Sequence, residues 1–239
     1  MAEPITAVTF DYGQTLAELD HDFLALRVGE LGGVLDAQAA RAAHVAAWDA
    51  YGAAKTLGHE KAWQLMMVTF LRAGGARPAV GDPEPHYAEA LAKKLWDAQP
   101  TRNLWRKRIP GMFELVRELV GNGVPVGIIS NSEGRLAELL AELGEEKPFR
   151  VIVDSGRVRV DKPNPRIFQL AADGLHVELS RIVHVGDAWE ADVIGAVNAG
   201  ARAVWFAPTD ERALPNGVVA CRDAAELRAA LDQDFGLAR

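Results

Sequence analysis

Residues 5–16 read Ile5-Thr6-Ala7-Val8-Thr9-Phe10-Asp11-Tyr12-Gly13-Gln14-Thr15-Leu16. The segment from Ile5 to Phe10 is short, apolar and rich in β-branched residues, the pattern of a strand buried on both faces. It ends directly in an acidic residue, with a glycine two positions further on. A carboxylate at the end of a buried strand is hard to explain as surface decoration, so this segment sets both the fold and the place to look for chemistry.

Five further runs of the same kind follow: Val124–Ile129, Val151–Val153, Ile182–Val185, Ala203–Phe206 and Val218–Ala220. Pro125 lies near the start of its run, where a missing donor is tolerable. Helical patterns separate these runs. Phe113, Leu115, Val116, Leu119 and Val120 repeat at helical spacing. Ser132 is placed to cap a helix with a Leu136, Leu139, Leu140, Leu143 stripe that stops at Gly144. Asn164-Pro165 reads as a cap followed by proline at the first helical position, with Gly174 as the stop. Asp223 and Glu226 form a capping box before Leu227 and Leu231. Strands alternating with helices predict an α/β fold, a doubly wound, Rossmann-like parallel sheet covered on both faces.

One stretch breaks the alternation. From Ala17 to Arg108 no strand is expected, only amphipathic helical patterns, clearest in Trp63, Met66, Met67, Phe70 and Leu71 before Gly74-Gly75. The expected organisation is an α/β core of residues 1–16 plus 109–239 with an inserted α-helical cap domain, residues 17–108.

The 239 residues carry 33 acidic and 26 basic side chains, a net charge of −7, which argues against a nucleic-acid partner. The longest basic run, Arg106-Lys107-Arg108, reads as solvated surface. Cys221 is the only cysteine, which excludes an internal disulfide and a cysteine-built zinc site. No leader-like segment and no membrane-spanning apolar stretch is visible, so a cytoplasmic protein without a membrane partner is expected. A homodimer is left open.

In an open parallel sheet, ligands bind beyond the carboxyl ends of the strands. Asp11 to Leu16 follow the first strand, Ser130-Asn131 the second, and Gly186-Asp187 the fourth, with Asp192 five residues beyond. Lys162 precedes a helix. If these ends converge, carboxylates, a hydroxyl and an ammonium meet at one edge. A carboxylate can attack phosphorus and split one displacement into two easier ones. Clustered anions call for a hard cation, and Mg²⁺ suits them. Ser130 and backbone N–H groups near Tyr12 can hold phosphate oxygens, while Lys162 supplies fixed positive charge.

With Asp11, Ser130, Lys162, Asp187 and Asp192 in this order, and with the HVGDAWEADVIGAVNAGA stretch over 184–201, the chain resembles haloacid dehalogenase superfamily hydrolases with a helical cap inserted after the first strand. The resemblance covers nearly the whole chain. It implies a Mg²⁺-dependent phosphohydrolase acting on a small phosphorylated metabolite through an aspartyl-phosphate. Asp11 would be nucleophile and metal ligand, the Gly13 carbonyl and Asp187 further ligands, and Asp192 a ligand of the metal or its water. Tyr12, Gly13, Ser130 and Asn131 would hold phosphate, and Lys162 would bind phosphate and orient Asp11.

One position departs from that family. Its phosphatases normally carry a second aspartate two residues after the nucleophile, as acid and base; here Gly13 stands there. General acid–base help contributes roughly 10²–10⁴-fold, so three readings stay open. They are a phosphatase in which a cap side chain, Gln14 or water substitutes, a dehalogenase or phosphonate-cleaving hydrolase, and a weakened phosphate- and Mg²⁺-binding protein. A phosphonate-cleaving enzyme would need a cap lysine, and Lys55 lies at about the right distance. Tyr51 shares a helical face with Lys55 as a candidate substrate contact. His184, inside a strand, reads as a packed core residue.

Overall fold

A computed structural model describes residues 4–207 and 211–237, with the Lys55 side chain outside the described set. The chain divides into two compact units, residues 1–18 with 105–239, and residues 19–104.

The strands, in chain order, are β1 (Ala7–Phe10), β2 (Ala17–Leu19), β3 (Gly33–Val34), β4 (Arg77–Pro78), β5 (Trp105–Arg108), β6 (Val126–Ser130), β7 (Val151–Asp154), β8 (Ile182–Gly186), β9 (Arg202–Phe206) and β10 (Val218–Cys221). Six of them form the sheet of the first unit, in the order β10-β9-β8-β1-β6-β7, with every described pairing parallel. These are the six runs singled out in the sequence, each within two residues of its expected bounds. β1 is central: Phe10 pairs with Ile128 on one side and Val185 on the other. The chain goes from β1 to β6 and β7, then returns to β8 on β1's other flank. That reversal makes a crevice at the carboxyl ends of β1, β6 and β8.

Side chains alternate between the two faces. Val8, Phe10, Val126, Ile128, Val183 and Val185 enter one apolar core with Phe113, Val116, Leu136, Leu140 and Leu227. Ile129, Val153, Ala203 and Trp205 enter the other, with Ile167, Phe168, Ala171 and Ala196. Both faces are therefore covered, as an all-parallel sheet requires.

Three local readings change. The helix at Leu136–Leu143 is not capped by Ser132, whose hydroxyl has no hydrogen-bond partner among the described residues. Asp154 at the end of β7 does this instead, accepting from the Gly134 and Leu136 amides at 3.0 and 2.9 Å. Gly174 does not stop the helix Pro165–Leu175; His176, in the left-handed region, is its cap. Gly174 is there because a Cβ would lie 2.6 Å from Val151. Val120 is exposed rather than part of its stripe.

The second unit contains helices at His21–Glu30, Ala37–Ala42, His44–Ala54, His59–Ala73 and Tyr87–Ala98. Trp63, Met66, Met67, Phe70 and Leu71 are buried as their spacing predicts. The expectation of no strand between 17 and 108 is corrected by four short ones. β3 and β4 pair antiparallel inside this unit. β2 and β5 form a ribbon where the chain leaves and rejoins the first unit. Two- to four-residue strands are too short to show a period-2 pattern, and Arg106-Lys107-Arg108 masks β5 with charge. Those three residues are exposed or half-buried and ion-paired, to Glu142, Glu18 and Glu145 respectively. Among the described residues no helix is long and apolar enough to cross a membrane.

Candidate active site

Asp11 follows β1 at the sheet's carboxyl edge and is buried, its amide held by the Val185 carbonyl at 2.8 Å. Its turn is tightly wound: Leu16 and Ala17 both donate to the Tyr12 carbonyl, and Gln14 donates to Ala17. The Gly13 carbonyl takes part in none of these three bonds. The Tyr12 hydroxyl donates to the Trp105 carbonyl at 2.8 Å, fixing the start of β5 against the turn. Gln14 adopts φ 56°, a left-handed conformation uncommon outside glycine, and its amide nitrogen is buried without a hydrogen-bond partner among the described residues.

The Lys162 ammonium donates to Asp11 Oδ1 at 2.7 Å and to Asp192 Oδ1 at 2.5 Å, and all three side chains are almost fully enclosed. Asn131 holds Lys162 in place. Its side-chain oxygen accepts from the Lys162 amide at 2.8 Å, and its nitrogen donates to the Lys162 carbonyl at 3.1 Å. The Asn131 amide is thus committed to the lysine. Ser130 is buried as the last residue of β6.

Asp187 follows β8, and Asp192 lies in the π-helical segment Trp189–Ile194. One carboxylate oxygen from each of Asp11, Asp187 and Asp192 lies within 4.8 Å of the others. Burial first, then repulsion from Asp192 and Asp11, raises Asp187 well above the ordinary carboxylate range. Asp11 is raised to about 6, chiefly by burial, with Lys162 opposing and Asp192 adding to the shift. Burial also works against the charge on Asp192, but Lys162 and His184 overcome it and hold this carboxyl below its usual range. Burial likewise disfavours the Lys162 ammonium, yet Asp11 and Asp192 raise its pKa.

Three carboxylates, Asp187 half-buried and the other two buried, therefore cluster beside one ammonium. All the donors are hard oxygens and negative charge is in excess, which fits a small divalent cation. The fit is uneven. Asp192 already accepts from Lys162, from His184 at 3.2 Å and from the Ala188 amide at 2.9 Å, whereas Asp11 and Asp187 face the site with charge less compensated.

His184 is fully buried but does more than pack. Its Nε2 meets Asp192, and its Nδ1 lies 3.0 Å from the Thr9 hydroxyl. Burial lowers its pKa, so the neutral ring donates from Nε2 to Asp192 and accepts from Thr9. Thr9 and His184 are register partners in β1 and β8. The sequence shows only a polar residue inside each of two otherwise apolar strands; that the two meet follows from the register of the sheet. Tyr51 lies in the second unit, its hydroxyl 3.0 Å from His59 Nδ1. Lys55, the candidate cap lysine, has its side chain outside the described residues.

The profile of haloacid dehalogenase-like hydrolases matches residues 5–200. The chain belongs to the haloacid dehalogenase-like hydrolase family. Among curated relatives, it is 34% identical over 112 residues to the pyrimidine 5'-nucleotidase YjjG of Escherichia coli, covering 46% of this chain and 49% of that protein. It is 32% identical over 120 residues to the glyceraldehyde 3-phosphate phosphatase of Methanopyrus kandleri, covering 50% of each. The chain spans about half the length of the curated relatives it matches. Its fold is similar to that of the magnesium-bound HAD-hydrolase YfnB from Bacillus subtilis, with a TM-score of 0.68 at 18% identity over 96% of this chain and all of that one. The L-2-haloacid dehalogenase RSc1362 gives 0.61 at 21% identity, over 96% of this chain and all of that one.

Proposed function

We propose that this chain is a Mg²⁺-dependent phosphohydrolase that acts on a small phosphorylated metabolite, with Asp11 as nucleophile. The observation that carries the reading is the three-carboxylate cluster beside Lys162, with oxygens within 4.8 Å and charge only partly compensated at Asp11 and Asp187. Phosphatase-named relatives support the substrate class.

Asp11 and Asp187, with the Gly13 carbonyl, would hold the cation, and Asp192 would orient its surroundings. A bound Mg²⁺ would supply Lewis-acid stabilisation to a phosphoryl oxygen. Lys162 keeps Asp11 aimed and offsets charge developing on the phosphoryl group. Ser130 and the turn amides after Asp11 bind the remaining oxygens. Asp11 Oδ attacks phosphorus, the leaving oxygen departs, and water then hydrolyses the aspartyl-phosphate. The helical unit would serve as the cap, excluding water and selecting substrate. The excess of carboxylates favours this over a metal-free dehalogenase.

Gly13 leaves the turn without a carboxyl to protonate the leaving oxygen, so leaving groups that depart as anions should be preferred. The test is release of inorganic phosphate from an aryl phosphate, with Mg²⁺ or chelator, by wild type and Gly13→Asp. A Cβ at position 13 would meet only Trp105, at 3.6 Å, ordinary van der Waals contact, so the backbone there admits a side chain. Metal-dependent turnover by wild type supports the phosphohydrolase. Absence of turnover, with a gain in Gly13→Asp, would move the dehalogenase, phosphonate-cleaving and binding-protein readings ahead.

A further inference from the structure

Trp205 lies in β9, across from Gly186 of β8, and is buried. Its indole N–H does not simply fill the core. It donates to the backbone carbonyl of Asp187 at 2.9 Å. The same ring packs edge-on against Trp189, with centroids 4.7 Å apart and planes at 62°. Trp189 sits between Asp187 and Asp192 in the chain, so a single indole grips this acidic loop at two points. The Arg212 guanidinium lies over both rings, 4.5 Å from the Trp189 centroid and 4.9 Å from that of Trp205. A cation over two indole faces adds attraction and closes the stack on its outer side.

The geometry points to Trp205 as a positioning residue for the cation site: its N–H fixes the peptide plane that carries Asp187, and the Trp189–Arg212 stack holds the indole in that pose. This rests on the proposed role of Asp187 as a metal ligand. β8 fixes the backbone entering Asp187, and the Trp205 bond fixes the backbone leaving it. Only the side-chain torsions of Asp187 then stay free. Without the indole N–H, the carbonyl is released and the carboxylate samples orientations that cannot meet Asp11. Hydrogen-bond partners that orient metal ligands commonly account for 10–100-fold in metal affinity.

The test compares Mn²⁺ binding to wild type and Trp205→Phe by electron paramagnetic resonance, with no substrate present. Phenylalanine keeps a ring in the core and deletes the donor. The expected result is a dissociation constant raised about tenfold or more, with a smaller rise for Arg212→Ala. A folded Trp205→Phe that binds Mn²⁺ within about threefold of wild type, whatever its melting temperature, overturns the inference. Wild type that binds no Mn²⁺ overturns instead the metal site on which it depends. If Trp205→Phe does not fold, ¹⁵N-indole spectra of wild type decide. The Trp205 N–H resonance should move during a Mg²⁺ titration while that of Trp63, buried in the helical unit, stays in place; a static Trp205 signal rejects the role.

Discussion

The Lys162 ammonium is shared by Asp11 and Asp192 in a pocket from which water is almost excluded. Removing one partner of a buried ion pair costs about 3–5 kcal/mol, because the other charge is left uncompensated. Lys162→Met should therefore lose stability on that scale in urea unfolding at pH 7, and adding Asp192→Asn should recover part of the loss. If the single variant is as stable as wild type, the network is not the coupled unit its geometry indicates. Asp11→Asn should keep the fold by circular dichroism and lose phosphate release by several orders of magnitude; an active variant would remove Asp11 as nucleophile. Asp11 and Asp187 were legible in the sequence because each follows a strand end, Lys162 because it precedes a helix start, and Asp192 because it comes five residues after Asp187. Thr9, His184 and Trp205 were not, because polar contacts inside a sheet depend on which strands are neighbours. That order appears only after folding.

Elements show the same division between local and distant causes. Asn164 and Asp223 cap their own helices, and both caps were readable because donor and acceptor are two or three residues apart. The helix at Leu136 instead takes its cap from Asp154, eighteen positions away. Asp154 is buried and also binds the Gly156 amide at 3.0 Å; Gly156 keeps a second acceptor in the Ser132 carbonyl, so Asp154→Ala strands the amides of Gly134 and Leu136. Losing a helix cap costs about 0.5–2 kcal/mol, and the second unpaired donor, Gly134, places the expected loss at the upper end of that range. Ser132→Ala should change stability by only a few tenths. Chemical denaturation of the two variants checks this, and the opposite ranking would return the cap to Ser132. Cys221 ends β10 in the core, where burial first and then Glu226, Asp234 and Asp223 push its thiol up to about 12. A group whose pKa is raised by folding contributes stability below its unfolded pKa and loses it as pH rises toward the folded value. Cys221 should thus resist a disulfide reagent at pH 8 until the chain unfolds, and should contribute to a stability decline between about pH 9 and 12. Cys221→Val should lessen that decline.

At the scale of the whole molecule, a ligand that binds only the folded form stabilises it by about 2.7 kcal/mol at a hundred times its dissociation constant. Saturating Mg²⁺ should raise the melting temperature by several degrees for a chain of this size, and Asp187→Asn should abolish the rise. If the units melt separately, only the transition of the sheet-containing unit should move. That two-unit division, 1–18 with 105–239 against 19–104, has a consequence for how the protein is made. β1 leaves the ribosome well before β6 and β8, between which it lies, and its Thr9 bonds to His184, 175 positions later. At about 5–20 residues per second, synthesis takes about 10–35 s to cross that gap. Until β6 emerges the strand that leads to Asp11 has neither neighbour, and until β8 emerges it has only one, while the helical segment has already emerged and can fold from its own contacts. Chains cut short before β8 would carry Asp11 and Lys162 but no Asp187 or Asp192. Premature termination would then yield an inert fragment in which one edge of an apolar strand lies uncovered, a target for chaperones.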